Sequence, residues 1–314
     1  MERGNPRRRP APGVMPIAPG RSPSREPATV RRAQIANGNE LHFVEAGRGP
    51  AVIFMHGGMG DCWSWGPQLE VFAHEYRAVA YSRRLHSPNS NPTAAVHPPL
   101  DEEAADLGSL LDALQTGPVH LVATSYGAMV ALAFALGHPH QVRSLVLAEP
   151  PLHHWACASL RGTRLLRQFM GRCWTPARYA FDAGHDQSAV RLLTNGMWGR
   201  PVYDDLPAAR HESALRNARA MKLLVGRGES VPDLPRDAVA ALTMPVLLVH
   251  GASTSELHRR GVDELAAVLP DARRTVIESA GHASAAENPA AFNAAVAEFV
   301  RGHELGSVGR SGVA

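Results

Sequence analysis

The chain has 314 residues, 45% hydrophobic and 19% charged, so it is long enough to bury a sizeable core and is not disordered as a whole. Its longest uninterrupted apolar run, Ala128 to Leu136, is far short of a membrane span and argues against a membrane-spanning protein. The net charge of +3 is unevenly placed: eight arginines against Glu2 and Glu26 give the first 32 residues +6, and the other 282 carry 24 basic and 27 acidic groups, or −3. A mildly acidic body argues against a nucleic-acid-binding surface.

Residues 1–28, rich in Pro, Arg, Gly and Ser, are expected to form a disordered basic arm. They hold no apolar stretch of the kind a secretory leader needs. Cys62, Cys157 and Cys173 have no metal-like spacing, and reduced thiols in a cytoplasmic protein are expected. Two short extended segments, Thr29–Ala36 and Glu40–Ala46, flank Asn37-Gly38 and predict a β-hairpin. The pattern then becomes short apolar runs at Ala51–Met55, Ala78–Tyr81, Val119–Ala123, Ser144–Ala148, Val246–Val249 and Thr275–Ile277. Runs of this kind, bounded by Gly, Pro or polar residues, predict parallel strands buried on both faces. Helical patterns lie near 101–115, 126–137, 256–268 and 287–302, the last opening on Asn288 as cap and Pro289 at the first helical position. Alternation of this kind predicts a doubly wound α/β sheet. The stretch 150–241 breaks it, with helical patterns and Trp155, Trp174 and Trp198, and reads as a helical insertion over the carboxyl edge of the sheet.

Three stretches can carry chemistry. In Ala123-Thr124-Ser125-Tyr126-Gly127 an apolar strand enters a tight turn and leaves as a helix, which lifts the Ser125 hydroxyl above the sheet edge. His56-Gly57-Gly58 follows the first central strand, and a loop without side chains lets backbone amides approach a ligand. The Gly58 and Tyr126 N–H groups are candidates for an oxyanion hole, and His56 and Gly57 for contact with substrate. Gly281-His282 follows the last strand and returns to the same edge as Ser125. No histidine pair has the spacing of a zinc helix, so no metal is expected.

From about residue 29 to 302 the chain resembles an α/β-hydrolase-fold protein. The resemblance rests on His56-Gly57 with Trp63 and Trp65, the Ser125 turn, the Pro245–Gly251 strand, and Gly281-His282 followed by Glu287-x-Pro289. It implies an α/β-hydrolase core at 29–149 and 242–302, a helical cap at 150–241, a tail at 303–314, a Ser–acid–His triad and no cofactor. The acid departs from the family pattern, because Thr254 stands where an aspartate is common. Some branches of the fold supply the acid from the preceding strand, where Glu149 closes Leu147-Ala148; Glu256 is the second candidate, and absence of an acid the third. The loop after Tyr81 lacks the family's glycines, and Arg83 and His86 in it are read as structural, with substrate contact as the alternative.

These features predict a serine hydrolase that cleaves an ester-like acyl bond of a small molecule, with Ser125, His282 and Glu149 as its triad. Open alternatives are a C–C bond hydrolase or thioesterase using the same triad, a cofactor-free enzyme using His282 as base, and a non-catalytic binding protein. Trp155, Trp174, Trp198 and Phe181 are expected to pack the cap, and Arg161, Arg164, Arg167, Arg172 and Arg178 to face solvent.

Overall fold

The structure, a computed structural model, describes residues 29–92, 99–226 and 233–304. The expected arm at 1–28 and most of the expected tail lie outside these residues. The strands are β1 (Val30–Gln34), β2 (Glu40–Ala46), β3 (Ala51–Met55), β4 (Arg77–Tyr81), β5 (Val119–Thr124), β6 (Val142–Ala148), β7 (Val246–Gly251) and β8 (Arg273–Ile277). They form one sheet in the order β1-β2-β4-β3-β5-β6-β7-β8. β1 and β2 pair antiparallel around Asn37-Gly38, β2 runs antiparallel to β4, and every other pair is parallel.

Every residue of β3 and of β7 is buried, as a strand covered by helices on both faces requires. Alternate residues feed two cores. Ile53, Met55, Leu121, Ala123, Leu145 and Leu147 face one side, where helices Leu100–Leu114, Tyr126–Gly137 and Glu256–Val268 pack. Val52, Phe54, Val122 and Val146 face the other, against Phe72 of helix Gly66–Phe72 and Phe292, Val296 and Phe299 of helix Pro289–Arg301. The Asn288 side chain caps that last helix by accepting from the Ala291 N–H at 3.2 Å. Helices Gly66–Phe72 and Ser284–Glu287 are elements that the sequence patterns do not announce; both are short, and the first opens on Gly66-Pro67.

Between β6 and β7 the chain makes helices and no strand among the described residues, from His153–Ala156 to Arg236–Ala240. Trp155, Phe169, Trp174, Phe181 and Leu193 from this segment join the same apolar cluster as Leu147 and Leu248 of the sheet. The insertion therefore rests on the core face rather than enclosing a separate core. Arg161, Arg164, Arg167 and Arg172 are exposed, and Arg178 is partly buried. No helix among the described residues is long and apolar enough to cross a membrane.

Candidate active site

Chain order in the sheet reverses between β3 and β5, so the loops after these strands diverge at their carboxyl ends and leave a crevice. Ser125 stands there, directly after β5. Its backbone has φ +51° and ψ −126°, a strained conformation for a residue with a side chain, and helix Tyr126–Gly137 begins at the next residue. The turn closes only because position 127 is glycine: a Cβ there would meet the His56 and Met55 carbonyl oxygens at 2.5 and 2.7 Å. The first N–H groups of the helix, Tyr126 among them, point out of its N-terminal end towards the crevice.

Glu149 directly follows β6, also at positive φ (+49°), and is fully buried. Its carboxylate accepts three hydrogen bonds: Gly251 N–H at 2.9 Å, Thr254 Oγ1–H at 2.6 Å and His282 Nδ1–H at 2.7 Å. A buried carboxylate requires such partners. Because a carboxylate only accepts, the proton of neutral His282 sits on Nδ1, leaving Nε2 as acceptor 3.1 Å from Ser125 Oγ. The structure thus brings Ser125, His282 and Glu149 into one chain of hydrogen bonds. Thr254, at the position where the family commonly carries an acid, donates to the acid that replaces it.

Glu256 is elsewhere. Both its oxygens are held by Arg161 at 3.0 and 2.5 Å, with Arg260 at 3.1 Å, and these cations pull its carboxyl down to about 2. Its hydrogen bonds go to these arginines and none to His282, whose carboxylate partner is Glu149, so the second candidate for the acid is set aside.

The loop bearing His282 is tied by Glu287, which accepts from Gly281 N–H at 2.6 Å, Ala283 N–H at 3.4 Å and Trp198 Nε1–H at 2.6 Å. The His282 ring packs edge-on against Trp198 (5.6 Å between centroids) and lies 4.3 Å from the ring of His258. His258 shares its Nδ1 with Ser255 Oγ at 2.7 Å, and beyond it stands His153, 5.5 Å away. Burial, reinforced by neighbouring histidines, holds His258 well below the usual imidazole range and His153 at about 3, so both are neutral. Glu149, His258 and His282 place ligand-type atoms within 4.8 Å of one another. The contacts above already engage those groups, so a cation there would have to displace the Glu149–His282 hydrogen bond.

The His56 loop corrects one expectation. His56 lines the crevice, yet its Nδ1–H donates to Gly57 O at 2.7 Å and its Nε2 accepts from Arg83 N–H at 3.0 Å. Neither nitrogen remains for a substrate; burial and Arg83 hold the ring neutral, well below its usual range, and its task is to shape the loop. Gly57 is the residue that abuts the serine, since a Cβ at 57 would stand 3.1 Å from Ser125 Cβ.

Arg83, buried to 1% exposure, sits behind the loop. It pairs with Glu103 at 2.5 Å, donates to the His56 and Gly57 carbonyls at 3.3 Å, and lies 4.8 Å from the centre of the Tyr126 ring. His86 Nε2–H donates to Gly58 O at 2.9 Å. In a trans peptide the Gly58 N–H points opposite to the Gly57 carbonyl, so anchoring that carbonyl on Arg83 and His56 fixes where the amide aims. Arg83 and His86 are thus structural, and the Glu103 partner is a residue that sequence reading missed. The Cys62 and Cys173 thiols are pushed up by burial to about 11 and about 12, which leaves them inert at neutral pH.

Ser125, His282, Gly57 and Gly58 line a cleft of about 110 Å³, together with Met197, Trp198 and Leu206 of the insertion. An acceptor histidine against a serine hydroxyl, a carboxylate behind the histidine and a fixed amide loop beside them are the parts needed for nucleophilic acyl transfer.

Comparison with known proteins identifies the family. The family model described as "Alpha/beta hydrolase family" matches residues 52–295. A protein of Escherichia coli O157:H7 that bears the provisional name carbamate hydrolase RutD is 30% identical over 254 residues, 78% of this chain and 89% of its own. Two solved structures share the fold. The enol-lactonase from Burkholderia xenovorans LB400 has a TM-score of 0.68 at 18% identity, covering 86% of this chain and 100% of its own. The carboxylesterase CesB from Bacillus subtilis has a TM-score of 0.66 at 16% identity, covering 88% and 93%. The chain therefore belongs to the alpha/beta hydrolase family and is a hydrolase.

Proposed function

We propose that the protein cleaves an ester-like acyl bond of a small organic molecule through a Ser125–His282–Glu149 triad. The observation that carries this reading is the unbroken hydrogen-bond chain, 3.1 Å from Ser125 to His282 and 2.7 Å from His282 to Glu149. Ser125 Oγ attacks the acyl carbonyl while His282 Nε2 takes its proton. The tetrahedral oxyanion is held by the Gly58 and Tyr126 N–H groups, each worth about 10²- to 10³-fold in rate. His282 then protonates the leaving group, and water, activated by the same nitrogen, releases the acid from Ser125. Glu149 keeps the His282 proton on Nδ1 and stabilises the imidazolium that forms in each half-reaction.

Every step uses a side chain or amide of this chain. The related proteins are named for carbamate, enol-lactone and carboxylic-ester cleavage, all of which break a bond to an acyl-type carbon. The cleft admits a small substrate, and residues 150–241 act as the cap that shapes it. The buried, high-lying thiols suit a cytoplasmic setting. Turnover of short-chain aryl acetates by the wild type and by Ser125→Ala tests the reading. A loss of at least 10³-fold in kcat is expected, and undiminished turnover by a folded Ser125→Ala protein would refute it.

A further inference from the structure

Among the described residues lining the cleft, Arg210 is the one with a permanent charge. It belongs to helix Ala208–Arg216, and Arg210, Ser213 and Ala214 recur at the spacing of one helical face, the face turned to the cleft, with Leu206 joining them from just before the helix. Arg210 is partly buried, yet it makes no hydrogen bond or ion pair among the described residues. Buried Arg83 and partly buried Arg84 contrast with it: Arg83 pairs with Glu103 at 2.5 Å and Arg84 with Asp106 at 2.6 Å.

Two carboxylates, Asp61 and Glu287, are near enough to act on Arg210 through space, but both are committed to other donors. Asp61 accepts from Trp63 N–H at 3.1 Å, Ser213 Oγ–H at 3.3 Å, Arg216 Nη2–H at 3.3 Å and Asn217 Nδ2–H at 3.1 Å. Glu287 is spent on the His282 loop and on Trp198. Burial works against the charge on Arg210, and a guanidinium cannot discard its proton at physiological pH. A partly buried guanidinium on the cleft wall, reached by water and matched by no protein acceptor among the described residues, is free to receive an anionic group that enters the cleft.

We infer that Arg210 is the anion-recognition residue of this cleft, and that the substrate is a small ester, lactone or amide that also carries a carboxylate. The inference rests on the reading of Ser125, His282 and Glu149 as a hydrolytic triad. A planar carboxylate matches the guanidinium fork with two parallel hydrogen bonds. Its single negative charge balances one arginine, whereas a phosphate dianion would bring excess charge towards Asp61 and Glu287. The cleft that holds both Ser125 and Arg210 is lined largely by apolar side chains, Met59, Met197 and Leu206 among them, and suits a short hydrocarbon spacer.

The test compares carboxylates with their neutral carboxamide isosteres. Methyl half-esters of succinic and glutaric acid are set against methyl esters of the matching half-amides, and O-acetylglycolate against O-acetylglycolamide, so that the anion is offered on either side of the scissile bond. Hydrolysis is followed by pH-stat for the wild type, Arg210→Gln and Arg210→Lys. At least one wild-type pair is expected to favour the carboxylate by about 10- to 150-fold in kcat/KM, the value of a charge-assisted hydrogen bond. That preference collapses in Arg210→Gln and survives in part in Arg210→Lys. Turnover of the esters with no carboxylate preference, or an equal loss for both members of each pair in Arg210→Gln, overturns the inference and leaves the hydrolase reading standing. Should no ester be turned over, calorimetry of glutarate and glutaramide decides. Glutarate binding that Arg210→Gln abolishes keeps the anion site while the hydrolase reading falls, and equal or absent binding of both removes the anion site as well.

Discussion

Replacing Glu149 by glutamine changes one oxygen to NH₂ at constant shape, and the surrounding donors dictate the outcome. The Gly251 N–H, 2.9 Å from Oε1, requires an oxygen at that position. The new NH₂ therefore takes the place of Oε2, facing Thr254 Oγ1 and His282 Nδ1, which lie 2.6 and 2.7 Å from that oxygen. An amide NH₂ only donates, so His282 must accept at Nδ1 and carry its proton on Nε2, the nitrogen 3.1 Å from Ser125 Oγ. The base is then protonated where it should be empty. The same tautomer reversal in a serine-protease triad lowers kcat about 10⁴-fold, or roughly 5 kcal/mol in the barrier. The stability change should be far smaller, about 1–3 kcal/mol, because the variant buries no new charge. Ester hydrolysis by pH-stat gives kcat and a thermal melt gives the fold. A folded Glu149→Gln protein that loses less than about tenfold in kcat would show that the carboxylate does not orient His282.

Thr254→Val removes the 2.6 Å hydroxyl donor from Glu149 at constant shape; kcat should fall about tenfold while Thr254→Ser stays near wild type, and equal behaviour of the two variants would contradict this. Arg83→Met takes away the guanidinium that faces buried Glu103 and braces the Gly57 carbonyl, and is expected to cost about 3–5 kcal/mol in urea unfolding, part of it recovered when Glu103 is also replaced by leucine. A loss under 1 kcal/mol would refute that role. Acid sensitivity follows from four buried neutral histidines: His153 is held at about 3, His120 at about 4, and His56 and His258 well below their ordinary 6.5. The unfolded chain takes up these protons near 6.5 and the folded chain does not, so their stabilisation is complete above pH 6.5 and is lost as pH falls towards 4. Each contributes about 1.4 kcal/mol per pH unit, together about 5, and His153→Leu should reduce the slope of stability against pH by one such share. An unchanged slope in urea melts between pH 6 and 4 would contradict the assignment. Neither His153 nitrogen has a hydrogen-bond partner among the described residues, so the leucine variant should also be at least as stable at pH 7.

The fold was largely legible because its strands announce themselves one at a time. Each of the six apolar runs lies within an observed strand, and the period-two split of Ile53 and Met55 from Val52 and Phe54 reflects backbone geometry alone. Ser125 and Gly127 were readable for the same reason, since a sharp turn admits only small neighbours. Glu149 stood out as a charge closing an apolar strand. What sequence could not supply was direction and partnership. His56 next to two glycines suggests a ligand contact, but its ring is claimed by Arg83 N–H and Gly57 O, an outcome set by a loop 27 residues away. Glu103 looks like one of three acids in the first turn of an exposed helix until Arg83 meets it. Arg210 is one arginine among many in the insertion, and only the packing of its helix over the cleft, with Asp61 and Glu287 already taken, sets it apart.

The central claim is an activated serine at position 125, and covalent labelling with a fluorophosphonate tests it most directly. Intact-mass and peptide analysis of the wild type should find one phosphonyl adduct on Ser125, absent from Ser125→Ala and formed much more slowly in Glu149→Gln. A well-folded wild-type protein that takes no label, or takes it on another residue, would contradict the triad.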